Sequence, residues 1–550
     1  GCDEIAPKKT SRSTAKSRAK GSFFWYNVIV KNKITEYNYR TYSRNVQLKI
    51  DEIFAEEIIP ENDSVRLLDE IAEEVEGPLE RAIKRNGRNH GTSPEAMLKI
   101  ILYAAMECIF SSRAIAERCT RDINYIWLLN GEKAPGYRAI CRFRTDVMSK
   151  CGEELFYELT HKLKEKGEIC FEHLFVDGTK IEANANKYSF VWKKSTNKFE
   201  QRVLNKLEKL TVELTDKYGV LSSDEFSLYE KLKEKHTAPF VHGRGKRKSQ
   251  LQRDIEELEV LLTRKIKYES YQDTFDGRNS FSKTDKDATF MHMKDDHMRN
   301  AQLKPGYNIQ FAVEGEYITG VDVSSERSDQ LTLIPLLNRM KEKGVKYEDV
   351  TCDAGYESEE NYTFFENSET ECYIKPQNYE RSKTKKFKSN MALRENMKYD
   401  EILDEYTCQN GKKIKAIYEG KRKSKSGFES IVTYYECEDC TGCPYKTNCT
   451  RAKGNRKIQV SKKFVEQRKS SLERITSPLG TLLRMNRSIQ SEGAFGVVKH
   501  DYGFQRFLLR GKKNVFTEIL IVSMGYNINK YHNKLQQNRS GSQLHEKFTA

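Results

Sequence analysis

Helical spacing of apolar residues dominates the first part of the chain. Ser93 can cap a helix that begins at Pro94, and apolar residues follow at positions 97, 98, 101 and 105. Ser112 opens a shorter helix, and a basic segment then carries three arginines, Arg138, Arg142 and Arg144. We predict an all-α domain over residues 46–165. It is either a helix-turn-helix-like DNA-binding module or a plain helical bundle.

Strand and helix patterns alternate over residues 170–376 and resume over 470–535. Short apolar runs predict strands near 173–176, 307–313, 317–323, 347–352 and 372–374, with helices near 328–343 and 359–366. The order of these elements predicts an α/β fold in which helices flank a mixed sheet. The first and the fourth of the predicted strands are followed directly by Asp177 and Asp353.

Two segments interrupt this α/β block. Over residues 195–280, aliphatic residues recur every three or four positions in two stretches, 203–214 and 251–262, which predicts two long amphipathic helices packed as an antiparallel pair. The loop between them carries three cations, Arg244, Lys246 and Arg247, which suit a phosphate backbone or form a solvated tip. The second segment, 377–469, is basic and rich in cysteine.

The cysteines of the second segment are closely spaced. Of the 13 cysteines in the chain, four lie within it at short intervals, Cys437, Cys440, Cys443 and Cys449, and Cys408 precedes them. Thiolates at this density fit a tetrahedral structural Zn²⁺ site. Disulfides are the alternative, but the other cysteines are scattered singly, which indicates a reducing compartment such as the cytoplasm. The pattern leaves open which four thiols bind, with Cys408 as an alternative ligand.

Composition and charge narrow the function classes. The chain has 550 residues, enough for several structural units, and a formal net charge of +15. This charge favours a polyanionic partner, with nucleic acid preferred over an anionic membrane surface. No apolar run approaches the roughly 18–20 residues that span a bilayer, so we expect no membrane partner. Residues 1–45 are expected to form a basic, flexible tail rather than a signal peptide, and residues 536–550 a second tail.

Three carboxylates suggest the chemistry. In a sheet of this kind the strands before Asp177 and Asp353 can be neighbours, and adjacent carboxylates repel unless a cation neutralises them. Glu492, on a predicted helix, can supply a third carboxylate for two Mg²⁺ or Mn²⁺ ions roughly 3.5–4 Å apart. Arg487 and Lys499, the latter about two helical turns beyond Glu492, would then contact phosphates. The plain alternatives are an Asp-Gly turn and an amphipathic helix with a solvated glutamate.

The motifs around these residues resemble those of the DDE transposases of bacterial insertion sequences. The stretch Phe175–Lys180 is similar to their first catalytic strand, Asp353–Tyr356 to the second, and Arg487–Gly511, with Arg506 and Arg510, to the last motif. In relatives the last helix reads Tyr-x-x-Arg-x-x-x-Glu-x-x-x-x-x-x-Lys. Glu492 and Lys499 fit this spacing. Met485 and Ser488 stand in place of the Tyr and Arg, and Arg487 is one residue off.

This resemblance implies a ribonuclease-H-like catalytic core in which Asp177, Asp353 and Glu492 are catalytic residues and metal ligands. It also implies an amino-terminal transposase domain, a Cys-rich zinc-ribbon-like insertion, and a homodimer that binds double-stranded DNA at terminal inverted repeats. The expected reaction cleaves DNA and transfers the 3′-hydroxyl end to target DNA. A catalytically silent DNA-binding relative and a metal-dependent nuclease without strand transfer are the alternatives.

Overall fold

The computed structural model describes residues 56–83, 91–243, 247–293 and 302–546. The predicted basic tail, 1–45, and the loop residues Arg244 and Lys246 lie outside these ranges. Among the helices of the described ranges, none is both long and apolar enough to cross a membrane.

Helices fill the first described part of the chain, as the apolar spacing predicts. Their bounds are α1 (Ser64–Val75), α2 (Gly77–Ala82), α3 (Pro94–Met106), α4 (Ser112–Arg118), α5 (Ile123–Leu129), α6 (Tyr137–Arg142) and α7 (Ser149–Glu165). The predicted start of α3 is confirmed, since the Ser93 hydroxyl accepts a hydrogen bond from the Ala96 amide at 3.1 Å and Pro94 takes the first helical position. α3 is buried along nearly its whole length, which makes it the centre of this helical region.

A mixed six-stranded sheet forms the core of the α/β region. In chain order the strands are β1 (His173–Glu182), the short ribbon strands β2 (Phe190–Trp192) and β3 (Ser280–Ser282), then β4 (Thr289–His292), β5 (Leu303–Glu314), β6 (Tyr317–Ser324), β7 (Asp349–Cys352) and β8 (Glu371–Ile374). β2 pairs only with β3. In the main sheet β4 and β6 both pair with β5, and the order continues β5, β1, β7, β8. β5 is antiparallel to β1, whereas β1, β7 and β8 are parallel.

β1 extends past the end that its apolar run predicts. Its pairing with β7 stops at Val176 opposite Cys352, but its pairing with β5 continues to Glu182 opposite Gly306. The prediction that Asp177 ends the strand is therefore wrong, because β5 holds the polar half of β1. β5 and β6 form an antiparallel hairpin, which is paired from Asn308 opposite Ser324 to Glu314 opposite Tyr317.

Several helices pack on the main sheet. They are α11 (Leu333–Glu342), α12 (Glu359–Glu366), α16 (Lys462–Thr476), α17 (Pro478–Gly496) and α18 (Lys512–Gln536). α17 contacts β1, β5 and β7, and α18 contacts β6 together with α3 and α7. α16 is fixed by Arg468, whose guanidinium donates to both carboxylate oxygens of the fully buried Glu357 side chain, at 2.6 and 2.9 Å. Such a two-point contact fixes distance and orientation together.

The first insertion is a helical hairpin with a core of its own. Its helices are α8 (Lys193–Tyr218), α9 (Glu225–Lys235) and α10 (Gln250–Phe275). Lys217 pairs with Asp254 at 2.6 Å, whereas Gln272 donates to Glu200 at 2.6 Å, so α8 and α10 are antiparallel as predicted. α9 is not predicted. Its Leu228 and Leu232 join the apolar core that α8 and α10 form.

The second insertion is an antiparallel sheet with its own small core. Its short helices are α13 (Tyr379–Ser382), α14 (Lys385–Lys388) and α15 (Lys446–Cys449), and its strands are β9 (Lys398–Asp400), β10 (Glu405–Thr407), β11 (Lys413–Lys423), β12 (Glu429–Cys437) and β13 (Lys457–Val460). The strands run in the order β13, β12, β11, β10, β9. Tyr406, Ile414 and Tyr435 are buried at its centre. The insertion begins after β8 and ends before α16, so both of these elements are intact.

Candidate active site

Asp177 and Asp353 lie side by side where β1 meets β7. The strands are parallel, and both aspartates directly follow the last paired residues, Val176 and Cys352. The Asp177 carboxylate is mostly buried and accepts a hydrogen bond from the Gly178 amide at 2.8 Å. Asp353 caps a 3₁₀ turn, and its Oδ1 accepts from the Gly355 amide at 2.8 Å. The strand register therefore brings the two predicted carboxylates together.

A further aspartate, Asp329, lies between these two strand ends. Its Oδ1 is 2.9 Å from the position that a Cβ would take on Gly178, and its Oδ2 is 3.2 Å from the corresponding position on Gly355. Asp353 Oδ1 is 2.9 Å from that same position on Gly355. The glycines that follow Asp177 and Asp353 thus make room for a neighbouring carboxylate, which any larger residue would crowd.

Asp329 is held by a buried polar network. The Asn308 side-chain amide donates to Asp329 Oδ1 at 2.6 Å, and the Gln310 amide donates to the same oxygen at 3.3 Å. Gln310 also accepts a hydrogen bond from the hydroxyl of Tyr356, a residue of the turn that follows Asp353. Asn308, Gln310 and Tyr356 are fully buried. The network therefore links Asp329 to β5 and to the Asp353 turn.

Sequence reasoning missed Asp329 because the apolar pattern places it in the first turn of a helix near 328–343. That helix prediction is wrong at its start, since Asp329–Leu331 is a separate 3₁₀ turn and α11 begins at Leu333. The Ser328 hydroxyl accepts from the Gln330 amide and begins the turn. The sequence does carry one indication, a glycine shortly after each of Asp177 and Asp353. Such a glycine indicates that another group lies close by, but it does not show which residue that is.

Glu492 lies on α17, where its carboxylate is paired with the guanidinium of Arg487. The Arg487 guanidinium lies 3.1 Å from Glu492 Oε1 and 3.5 Å from Asp177 Oδ2. Ser488 also donates to Glu492 Oε1, at 3.2 Å. The Glu492 side chain is 60% exposed, against 10% for Asp177. Arg487, predicted as a phosphate contact, thus joins two of the three predicted catalytic carboxylates.

The donor chemistry of this place suits a hard divalent cation, and its present geometry is incomplete. Asp177, Asp329 and Asp353 offer carboxylate oxygens, the ligands that Mg²⁺ and Mn²⁺ prefer. In the described ranges, however, no group of three or more His, Cys, Asp or Glu side chains is placed to hold a metal ion. Asp177 and Asp353 therefore fit a cation site that Glu492 joins only if it leaves Arg487.

A cavity of about 230 Å³ opens beside Asp353. Cations line it, namely Lys375, Arg484 and Arg487, together with Ser488 of α17. A carboxylate at the edge of a cationic cavity matches a phosphodiester, because the cations bind phosphate oxygens while the carboxylates exclude them unless a metal intervenes. The lining of this cavity thus suits a phosphate-bearing ligand that approaches Asp353.

Lys499 does not project beside Glu492. α17 ends at Gly496 and continues as a π-helical turn, Val497–Asp501, whose wider winding breaks the two-turn relationship that the sequence predicts. Lys499 is only 5% exposed and donates to the Thr179 hydroxyl at 3.4 Å. In this arrangement the side chain is turned onto β1, and the contact of Lys499 with DNA phosphate stays a prediction.

Arg144 is also buried rather than available to DNA. Its guanidinium donates to the Phe110 carbonyl at 2.7 Å, and burial lowers the pKa of the group. It links the turn that follows α6 to the segment that precedes α4, and its contact with DNA stays a prediction. Arg138 and Arg142 of α6 are exposed, in agreement with either a DNA-binding module or a bundle surface.

The remaining predicted DNA contacts lie at the surface. Arg506 donates to the Ala185 carbonyl at 3.2 Å, and Arg510 donates to the Asn184 carbonyl at 2.8 Å. Both residues are exposed, as is Arg247. Arg506 and Arg510 therefore secure the segment between β1 and β2 while part of each side chain faces solvent.

The cysteines of the second insertion gather around the end of β12. Cys437 and Cys440 are buried, with Cys408 beside them, whereas Cys443 and Cys449 are partly exposed. Burial and then the neighbouring Cys440 raise the pKa of Cys437 to about 12. Cys449 instead accepts a hydrogen bond from the Arg456 guanidinium at 3.2 Å. Cys408, Cys437 and Cys440 lie close together, and among the residues that the structure describes no three thiols are placed to hold a metal ion.

Two comparisons with known families bear on this arrangement. Residues 53–146, which include α1 to α6, match the transposase domain DUF772. Residues 407–532, which include Glu492 and the clustered cysteines from Cys408 onward, match the transposase DDE domain. Each match covers part of the chain, and together they support a DDE transposase of the insertion-sequence type. No curated protein and no solved structure matches this chain significantly.

Neither of the two matched segments of the chain contains Asp177 or Asp353. Both aspartates lie between residue 146, where the first match ends, and residue 407, where the second begins. The family matches therefore support a transposase function through segments that lie before and after both aspartates. α17, which is part of the second matched segment, packs on β1 and β7, the strands that precede Asp177 and Asp353.

Proposed function

We propose that this transposase binds the terminal inverted repeats of its element, cleaves DNA there and transfers the 3′-hydroxyl end to target DNA. The observation that carries the proposal is the register of β1 and β7, which sets Asp177 beside Asp353, with α17 and Glu492 packed against both strands. The strand order, in which an antiparallel hairpin precedes three parallel strands across the sheet, supports a ribonuclease-H-like core.

Asp177 and Asp353, joined by Glu492, would hold Mg²⁺ or Mn²⁺. Two such ions lower the pKa of an attacking water or 3′-hydroxyl and stabilise the leaving oxygen. The chain's own residues prepare this state. Asp329, held by Asn308 and Gln310 of β5, adds a further carboxylate beside the two strand ends. The cavity cations Lys375 and Arg484 bind the phosphates on either side of the scissile bond.

Arg487 has two roles in this proposal. Without a metal its guanidinium neutralises Asp177 and Glu492, so the carboxylates do not repel each other. When Glu492 turns toward Asp353, the guanidinium is released beside the cationic cavity, where it can form a two-point contact with a phosphate. It thereby supplies a cation at the place where relatives carry an arginine one residue later.

The DNA-binding and assembly parts of the proposal rest on other regions. α6, with the exposed Arg138 and Arg142, is proposed to contact the inverted repeat, and the basic second insertion is proposed to contact DNA near the cleavage point. A structural Zn²⁺ would be held by thiols among Cys408, Cys437, Cys440, Cys443 and Cys449. Two chains are proposed to pair the two ends of the element.

The test is cleavage of the element's own ends with Mg²⁺ or Mn²⁺. Asp177→Asn, Asp353→Asn and Glu492→Gln should each abolish cleavage, since each removes one charge from the metal site. Glu473→Gln, on the exposed face of α16, is the matched control and should cleave normally. Thermal unfolding of every variant separates loss of chemistry from loss of fold. Unchanged cleavage in the three site variants would refute the three-carboxylate site.

A catalytically silent DNA-binding protein is the second candidate, and one observation favours it. The pairing of Arg487 with both Asp177 and Glu492 stabilises a metal-free arrangement. A silent protein would bind the inverted repeats with normal affinity and leave them uncut at any Mg²⁺ or Mn²⁺ concentration. A nuclease without strand transfer would cut them but yield no joined product with target DNA.

A further inference from the structure

α8 carries an exposed row of cations that the proposed active site does not use. The row consists of residues at successive helical turns, Lys194, Lys198, Arg202, Lys206 and Lys209, and all are exposed. Their spacing of four, four, four and three residues keeps them on one side of the helix. The buried residues of α8, among them Val203 and Leu207, occupy another side, so the row faces away from the hairpin core.

Among the residues that the structure describes, no carboxylate pairs with these cations. In the described part of the chain none of the five forms an ion pair, although carboxylates pair with Lys217, Lys248 and Lys265 elsewhere in the same hairpin. Arg202 only stacks over the exposed ring of Phe199, at 6.0 Å. A row of like charges without partners is unfavourable in isolation, and a polyanion removes the repulsion.

Charge is unevenly divided between the two long helices. The first 17 residues of α8, 193–209, contain six cations and two acids, whereas α10 contains four cations and six acids. The basic stretch of α8 therefore has a net charge of +4, from six cations and two acids, whereas α10 has a net charge of −2, from four cations and six acids. This asymmetry distinguishes the row from a solvated surface of mixed charge, on which both signs are interspersed.

The basic part of α8 is the part nearest the sheet. α8 begins directly after β2, and its acidic residues Glu213 and Asp216 lie in the last turns, away from that junction. The segment between β1 and β2 is held by Arg506 and Arg510, two exposed cations. α8 is therefore joined to this segment by the short strand β2, and the segment itself directly follows β1, the strand of Asp177.

We infer that this face of α8 binds the phosphate backbone of double-stranded DNA that extends from the active site. From Lys194 to Lys209 the row spans about 22 Å at 1.5 Å per residue. This length covers roughly six base pairs at 3.4 Å each. The contact is with phosphates, so it adds affinity and orientation without reading sequence. The inference rests on the proposed function, since it assumes that DNA is the substrate.

The test compares the full-length protein with two triple variants on a random-sequence duplex of about 30 base pairs. Lys198→Ala, Arg202→Ala and Lys206→Ala together should reduce the slope of log K against log salt by about 3, since each phosphate contact contributes about 0.9. At 0.1 M salt the affinity should fall on the order of a hundredfold. The matched control removes three exposed cations of α10, by Arg253→Ala, Arg264→Ala and Lys267→Ala, and should leave the slope unchanged.

The three single variants of the α8 row guard against loss of fold in the triple variant, and each should lower the slope by about 1. An unchanged slope in all of them would overturn the inference while wild-type binding still supports the proposed function. Equal losses in the α8 and α10 variants would also overturn it, because any surface cation would then suffice. Absence of DNA binding by the wild type, or preferential binding to phosphatidylserine vesicles, would overturn both.

Discussion

The Arg487 guanidinium lies 3.5 Å from the Asp177 carboxylate, at a place where a metal cation is expected. The Arg487 side chain is 14% exposed and that of Asp177 is 10%, so water screens this pair weakly. Arginine and a divalent cation therefore compete for the same negative charge.

Arg487→Ala should both destabilise the metal-free protein and strengthen its response to metal. Removal of one partner of a poorly screened pair is expected to cost roughly 3 kcal/mol of unfolding free energy. Added Mn²⁺ should then raise the melting temperature more than in the wild type, because no guanidinium has to be displaced. Arg484→Ala is the control, since Arg484 lies one turn earlier on α17 and donates to the Ile475 carbonyl. An equal Mn²⁺ response in wild type and Arg487→Ala would contradict the competition.

Asp329→Asn should weaken metal binding without unfolding the protein. Asparagine can still accept the hydrogen bond from Asn308, but it lacks the charge that Asp329 adds next to Asp353. Groups that support metal ligands typically change affinity by about 10- to 100-fold, so Mn²⁺ affinity measured by titration calorimetry should fall within that range. Glu326→Gln, three residues earlier in the chain, should bind Mn²⁺ normally. Wild-type affinity in Asp329→Asn would show that Asp329 only packs between the strands.

The zinc proposal predicts the metal content of the second insertion. The purified protein should contain about one Zn²⁺ per chain by mass spectrometry of the metal, and Cys437→Ser or Cys440→Ser should remove it. Cys141→Ser, an exposed cysteine of α6, should leave the zinc content unchanged. A wild-type protein free of zinc after purification without chelator would contradict the proposal and leave these thiols as core residues of the insertion.

His173 and Asp349 predict a pH dependence of stability. They are paired residues at the beginning of β1 and β7, with His173 Nδ1 2.6 Å from Asp349 Oδ2. This hydrogen bond raises the pKa of His173 above its usual value, while burial raises the pKa of Asp349. A histidine with a raised pKa stabilises the folded state below its unfolded pKa of about 6.5, and that contribution is lost as the pH rises through the folded pKa.

The measurement is thermal unfolding between pH 6 and 8.5. The wild type should lose stability across the upper part of this range. His173→Asn should be less stable than the wild type at pH 6 by about 1.5–3 kcal/mol, the typical worth of a hydrogen bond to a charged group, and should show a flatter profile. Parallel profiles for the two proteins would contradict the assignment.

Sequence patterns predicted the elements whose signals are local. The capped start of α3 at Ser93, the bounds of α12 and the aspartate after β7 follow from hydrogen bonding and apolar periodicity within a few residues. The helical hairpin followed from two long periodic stretches. The adjacency of Asp177 and Asp353 required only the assumption that their strands are parallel neighbours, which the register satisfies.

The features that were missed depend on contacts between distant segments. Arg144 reads as a DNA contact from its basic surroundings, but the Phe110 carbonyl draws it into the interior. Lys499 fits a helical spacing that the π-helical turn after Gly496 disrupts. Asp329 belongs to the site only because Asn308 and Gln310 of β5 reach it. The periodicity of one segment cannot predict contacts with residues that are distant in the sequence.

The two-point contact of Arg468 with Glu357 explains how the chain tolerates a long insertion between Asp353 and Glu492, two of its proposed catalytic acids. Glu357 comes four residues after Asp353, and Arg468 lies on the helix that re-enters from the cysteine-rich segment. The contact between Arg468 and Glu357 fixes α16 beside the segment that follows Asp353, and it does not depend on the residues of the insertion. Evolution can therefore lengthen, shorten or exchange that segment, and an engineer can graft another domain there, without moving Glu492 relative to Asp353.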